Sequence, residues 1–252
     1  MVYFVGAGSG APDLITIRGA ERLKQADVII YAGSLVNPEL LSYAKKSCEI
    51  HNSAEMTLEQ VLDVIKAAEK AEKNTVRLHT GDPCLYGAVR EQMDVLDALE
   101  IIYESVPGVS SFCGAAAAIN AEYTLPNVSQ SVVITRMAGR TPVPERESIR
   151  SFASHGCTMV IFLSSSLTDE LQNELIQGGY SAETPVAIVY KATWPDEMKF
   201  LCTVGTLHRT MSENNIKNTA LIMVGNFLGT EYERSKLYDP SFTTAFREAS
   251  KL

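Results

Sequence analysis

The stretch Thr75-Val-Arg-Leu-His-Thr-Gly-Asp-Pro-Cys-Leu-Tyr-Gly87 decides how the chain is read. Its β-branched and apolar residues Thr75, Val76 and Leu78 predict a strand, which ends at the turn Gly81-Asp82-Pro83 before a helix-like stretch begins near Tyr86. Glycine lets another backbone come close, proline fixes one dihedral and removes a donor, and aspartate supplies an acceptor for its own turn or for a ligand. The segment is therefore either a tight strand-to-helix connection or a place where a strand end holds a ligand.

Working outward, short apolar strands alternate with segments of helical period. Strands are predicted at residues 2–5, 27–31, 48–51, 75–79 and 102–106, with helices between them. The clearest helix is 58–73, where Leu58, Val61, Leu62, Ile65 and Ala68 share one face behind a capping Thr57. Such alternation implies a mostly parallel sheet. After Leu125-Pro-Asn127 the pattern restarts, with strands predicted at 131–135, 157–163, 185–190, 198–202 and 219–224 and helices near 168–177 and 206–213. Pro185 has no amide proton for a ladder, so it can only open its strand. The expected organisation is an N-terminal α/β domain over 1–126, a C-terminal α/β domain with a mixed sheet over 127–229, and a polar tail over 230–252.

Composition excludes several classes. A formal net charge of -8 argues against a nucleic-acid partner, which needs a basic face to neutralise phosphates. The five cysteines are scattered, without a C-x-x-C pair, and suit reduced thiols. The four histidines lack close metal-ligand spacing, so no metal is expected. The N-terminus has no basic region, and no apolar run approaches the ~20 residues of a membrane span. A cytoplasmic, unanchored protein is expected.

Glycine follows four of the first-half strands closely: Gly6 and Gly8, then Gly33, Gly81 and Gly108. Ligands of open parallel sheets bind outside the carboxyl ends of the strands, so these glycines are expected to line one crevice. Gly6, Gly8 and Ala11 formally fit a permissive dinucleotide pattern, with Asp27 near the ribose-binding spacing. The match is weak, because Pro12-Asp13-Leu14 separates the glycines from the next helix and leaves no helix N-terminus for a pyrophosphate. No triphosphate P-loop is present.

Several ordered motifs resemble those of the tetrapyrrole (corrin/porphyrin) methylase family: Gly6-x-Gly8-x-Gly10-x-Pro12-Asp13-Leu14-Ile15-Thr16, Ala26-Asp27-Val-Ile-Ile-Tyr31, Gly81-Asp82-Pro83 with Tyr86-Gly87, and Val106-Pro-Gly-Val-Ser-Ser111. The resemblance continues through His155-Gly-Cys-Thr-Met159, Thr184-Pro-Val-Ala187 and Thr219-Ala-Leu-Ile-Met-Val-Gly225. It implies two α/β domains with S-adenosylmethionine between them, S-adenosylhomocysteine as product, and a homodimer. Tyr31-Ala-Gly-Ser-Leu-Val36, Ser129-Gln130, Thr135-Arg136, Gly139-Arg-Thr-Pro142 and Tyr190-Lys-Ala-Thr-Trp-Pro-Asp-Glu197 are more specific. They resemble the branch of the family whose substrate is precorrin-4 or cobalt-precorrin-4. The first loop departs from many relatives, which have proline at Ser9 and an acid at Ala11.

Methyl transfer from a sulfonium to carbon is an in-line displacement, so catalysis can rest largely on placement. Carried over residue by residue, the resemblance sets the cofactor against Pro12, Gly81, Asp82, Pro83, Ser110, Ser111, Leu163, Ala187 and Ala220. The arginine fork suits a polycarboxylate macrocycle, which nominates Arg136 and Arg140, then Arg90 and Lys191. Each of those cations could instead be a solvated surface charge, and the lone Trp194 is expected to pack. Asp13, Asp82 and His79 are candidates for a base.

Overall fold

The computed structural model describes residues 1–250. It divides into two units, one formed by Met1–Ala115 with Lys191–Glu197 and the other by Ala116–Tyr190 with the chain from Met198 onward.

The first unit carries β1 (Val2–Gly6), β2 (Val28–Tyr31), β3 (Glu49–Asn52), β4 (Thr75–His79) and β5 (Tyr103–Val106) in the order β3-β2-β4-β1-β5. All four strand pairs are parallel. Parallel neighbours need crossovers, which are supplied by α1 (Ile17–Gln25), α2 (Leu58–Lys70) and α3 (Arg90–Ala98), with α4 (Ser111–Ala118) following β5. On one face Val5, Ile29 and Leu78 pack with Leu23 of α1; on the other, Phe4 and Ile30 pack with Ile65 of α2 and Leu96 of α3. Thr57 and Gln60 close a reciprocal cap on α2. Every residue of β4 is buried, as expected for a central strand covered on both faces. The helix after the Gly81 turn begins at Arg90 rather than near Tyr86, because Tyr86 and Ala88 adopt left-handed φ angles of 55° and 48°.

The second unit carries β6 (Val132–Arg136), β7 (Thr158–Phe162), β8 (Pro185–Tyr190), β9 (Met198–Thr203) and β10 (Ala220–Val224) in the order β6-β7-β10-β8-β9. β6 and β7 are parallel and the other pairs antiparallel, so the sheet is mixed. Its core joins Met159, Ile161, Ile188 and Ile222 to residues of α5 (Ile149–Ala153), α6 (Thr168–Gln177) and α7 (Leu207–Glu213). The division differs from the sequence reading in two places. Tyr123 packs on Phe227, and its carbonyl accepts from Thr158 Oγ1, which ties the segment after Ala115 to the second unit. Lys191–Glu197, which joins β8 to β9, groups with the first unit. Between residues 230 and 250 the chain is almost wholly exposed, with one short 3-10 turn at Lys236–Tyr238. Among the described residues no helix is long and apolar enough to cross a membrane.

Candidate functional site

Three loops meet at the carboxyl end of the first sheet. Gly8 and Gly81 exchange backbone hydrogen bonds of 3.2 and 2.8 Å, and Ala7 N donates to His79 O at 2.7 Å. A Cβ on Gly108 would lie 2.2 Å from Gly81 O and 2.7 Å from Gly6 Cα, so these backbones touch only because Gly6 and Gly108 lack side chains. Gly6, Gly8, Gly81 and Gly108 thus converge as the strand-end pattern predicts. Gly33 does not join them, since it lies against the side chain of Asn52 at the end of β3.

Asp82 fastens this junction. Its Oδ1 accepts from Cys84 N at 2.8 Å and its Oδ2 from Gly108 N at 2.9 Å, so one carboxylate spans the loops after β4 and β5. Burial alone pushes this carboxyl up, but the bonds from Cys84 and from the Gly108 amide outweigh it and hold the group below its ordinary value. Pro83, Gly81 and Ser110 are buried beside it, and Ser111 opens α4.

Beneath the turn lies a polar line on β4. Arg77 is 7% exposed, donates from Nε to Gln92 Oε1 (3.2 Å) and from Nη1 to Ile30 O (3.1 Å), and makes no ion pair among the described residues. Burial lowers its guanidinium to about 10, which leaves it charged at neutral pH. Gln92 passes the restraint on through Nε2 to Ala88 O at 2.9 Å. His79 is buried with Nε2 unpartnered; burial, then the Arg77 charge, lowers it to about 3, so it is a neutral imidazole with little affinity for a proton.

Pro12 and Asp13 form a short 3-10 turn after the first loop, where Asp13 is exposed. Trp194 packs on that loop: a Cβ on Gly10 would stand 2.2 Å from its Cδ1. Asn37, buried and unnoticed in the sequence, donates from Nδ2 to Gly10 O at 3.0 Å. Its only sequence signal is Asn37-Pro38, the start of a 3-10 helix that its side chain also caps. Arg77 and Gln92 were likewise missed, because a charged residue inside an apolar strand pattern gives no hint of its partner.

In the second unit Leu163 follows β7 with φ 52° and 63% of its surface exposed, so it is no core residue. Ala187 and Ala220 are buried on opposite faces of the sheet: Ala220 lies in the core beside α6, whereas Ala187 alternates with the core residues Val186 and Ile188. One ligand can meet both only if it meets one through the backbone. Arg136 spends its guanidinium on the carbonyls of Met137 (3.1 Å), Thr141 (3.1 Å) and Pro142 (2.8 Å), and the loop it folds leaves Arg140 exposed and without an ion pair among the described residues. Of the other nominated cations, Arg90 pairs with Asp94 at 2.7 Å and Lys191 with Asp196 at 2.6 Å. No group of three or more His, Cys, Asp or Glu among the described residues could hold a metal.

This set of groups is poor in phosphate-binding features. Asp27 stands before β2, at the end of the sheet away from the glycines, and bonds Asn74 N (2.9 Å) and Lys45 Nζ (2.5 Å), so it is not placed for a ribose there.

The model for tetrapyrrole (corrin/porphyrin) methylases matches residues 1–208. The chain is 51% identical over 251 residues to the cobalt-precorrin-4 C(11)-methyltransferase of Methanocaldococcus jannaschii, spanning 99% of this chain and 97% of that one. The X-ray structure of a cobalt precorrin-4 methyltransferase, a cobalamin biosynthetic enzyme, is 46% identical with a TM-score of 0.89, covering 91% of this chain and 96% of the other. Uroporphyrin-III C-methyltransferase from Thermus thermophilus, complexed with S-adenosyl homocysteine, is 25% identical with a TM-score of 0.77, covering 90% and 98%.

Proposed function

The chain belongs to the tetrapyrrole (corrin/porphyrin) methylase family, and from that premise we propose that it methylates ring carbon 11 of precorrin-4 or cobalt-precorrin-4 in cobalamin biosynthesis, with S-adenosylmethionine as donor. The observation that carries this reading is 51% identity maintained across 99% of the chain, which takes in the glycine loops and the specific stretches at 139–142 and 190–197.

S-adenosylmethionine supplies an electrophilic methyl on a sulfonium. The residues proposed to hold it are Pro12, Gly81, Asp82, Pro83, Ser110, Ser111, Leu163, Ala187 and Ala220. Asp82 does so by shaping the loops, because both its oxygens are engaged by backbone amides. For the same reason it is a poor base, and buried neutral His79 is poorer; exposed Asp13 is the candidate best able to accept a proton from the acceptor carbon. Arg140 is the proposed partner of a substrate carboxylate, with Arg136 shaping its loop and Arg90 and Lys191 in support. We expect Arg140→Gln to raise KM for the tetrapyrrole roughly three- to tenfold with little change in kcat, as steady-state kinetics would show.

The protein is proposed to act as a cytoplasmic homodimer without nucleic-acid or membrane partners; sedimentation of the purified protein tests the dimer. Methylation at another ring position, or of ribosomal RNA or diphthamide by the same fold, is the alternative. Incubation with each precorrin-4 form and labelled donor decides: a new methyl on carbon 11 is expected, and label at any other position rejects the assignment.

A further inference from the structure

Lys191–Glu197 contains two non-glycine residues in the left-handed region, Lys191 at φ 46° and Thr193 at φ 68°. For a β-branched residue this conformation is a steric outlier, retained only where its surroundings enforce it. The surroundings of Thr193 are the first glycine loop. Its Oγ1 accepts from Ala11 N at 3.0 Å and lies 3.2 Å from Ser9 Oγ, while its own amide donates to Glu197 Oε2 at 2.7 Å. Ser9 is buried, and the bare Cα of Gly114 makes room for it: a Cβ there would fall 2.5 Å from Ser9 Cβ and 3.5 Å from Thr193 Cγ2. Trp194 covers Gly10 between these two contacts.

The loop that leads into Pro12-Asp13 is thus fastened on either side of Gly10 by one strained residue, while Asn37 holds the Gly10 carbonyl itself. We infer that Thr193 is a positioning residue for the methyl transfer: through its hydroxyl it fixes Ser9–Gly10–Ala11 and so sets where Pro12 and Asp13 stand. This deepens the proposed function and rests on it for its kinetic consequence. It gives the stretch at 190–197, which the sequence marked as substrate-specific, a task other than touching the substrate.

The test uses the full chain. In Thr193→Val, which keeps the shape and loses the hydroxyl, the Ala11 amide should exchange with solvent at least about tenfold faster while the β1 amides are unchanged. The kcat for methyl transfer should fall about tenfold or more, with KM for the tetrapyrrole moving less than about threefold. Thr193→Ser should restore both. If the valine variant does not fold, Thr193→Gly serves, since it also relieves the left-handed strain; it should show the same fast Ala11 exchange. Unchanged Ala11 exchange would overturn the inference, as would fast exchange with parental kcat, or a rise in KM alone, which would mean direct substrate contact. Exchange needs no substrate, so failure of the proposed reaction in the parent protein is distinguishable from failure of the positioning role.

Discussion

Asp82 shows how one side chain can join two loops, its two oxygens accepting from amides after β4 and after β5. The sequence places an acceptor in a turn, which is correct, but it cannot show that the second oxygen reaches Gly108, because that amide is 26 residues away. Asp82→Asn retains one acceptor and presents an NH2 to the other amide, so an expected loss of about 1–3 kcal/mol in urea unfolding follows from the unsatisfied donor. Weaker S-adenosylhomocysteine binding in calorimetry should accompany it, and unchanged affinity in the folded variant would remove Asp82 from the donor site. The pH dependence has a definite sign. Because the folded carboxyl is depressed, its contribution is complete above the ordinary 3.8 and is lost as pH falls through the lower folded value.

At the scale of elements, β4 is the informative strand. Its type and span, Thr75–His79, follow from the sequence alone, as do those of β8 over Pro185–Tyr190 and α6 over Thr168–Gln177. What the pattern could not convey is that Arg77 and His79 point inward with Phe4 on the α2 and α3 face, since strand alternation reads a charged residue as an outward one. The helix start escapes the pattern for a related reason: the left-handed Tyr86 and Ala88 are not glycines, and Gln92, which holds the Ala88 carbonyl, gives no sign of it in sequence. Gln92→Leu leaves both the Arg77 Nε and the Ala88 carbonyl without their partner, and should cost about 2–4 kcal/mol in denaturant unfolding. His79 gives the strand an acid sensitivity. Folded, it titrates at about 3 against an ordinary 6.5, so the unfolded chain binds the extra proton between those values and stability falls as pH drops from 6.5 toward 3. His79→Phe, packed beside Phe4, should flatten unfolding midpoints across that window; a slope equal to that of the parent would show the imidazole is not buried neutral.

Across the whole molecule, each unit has its own sheet and core, and the chain leaves the second unit between β8 and β9 to place Lys191–Glu197 on the first. Sequence periodicity finds both sheets but not that excursion, because seven mostly polar residues around a proline between two strands read as an ordinary loop. The sheet order β3-β2-β4-β1-β5 explains why the glycines converge: β1 lies between β4 and β5, so the loops after all three leave side by side, whereas β2 sends Gly33 toward β3. That geometry also bears on the dinucleotide pattern that the glycines formally fit. A dinucleotide would call on Asp27, which is at the other end of its strand and bonded to Lys45 and Asn74. A ligand that binds only the folded protein stabilises it by mass action, about 2.7 kcal/mol at a concentration one hundred times Kd. For a chain of 252 residues, with each kcal/mol worth roughly 2–4 °C, S-adenosylhomocysteine should raise the unfolding temperature by roughly 5–10 °C. NAD at equal concentration should leave it unchanged, and Asp82→Asn should lose most of the rise. A shift with NAD and none with S-adenosylhomocysteine would reverse the assignment of the crevice, since the same three loops would then be holding a pyrophosphate without a helix N-terminus behind them.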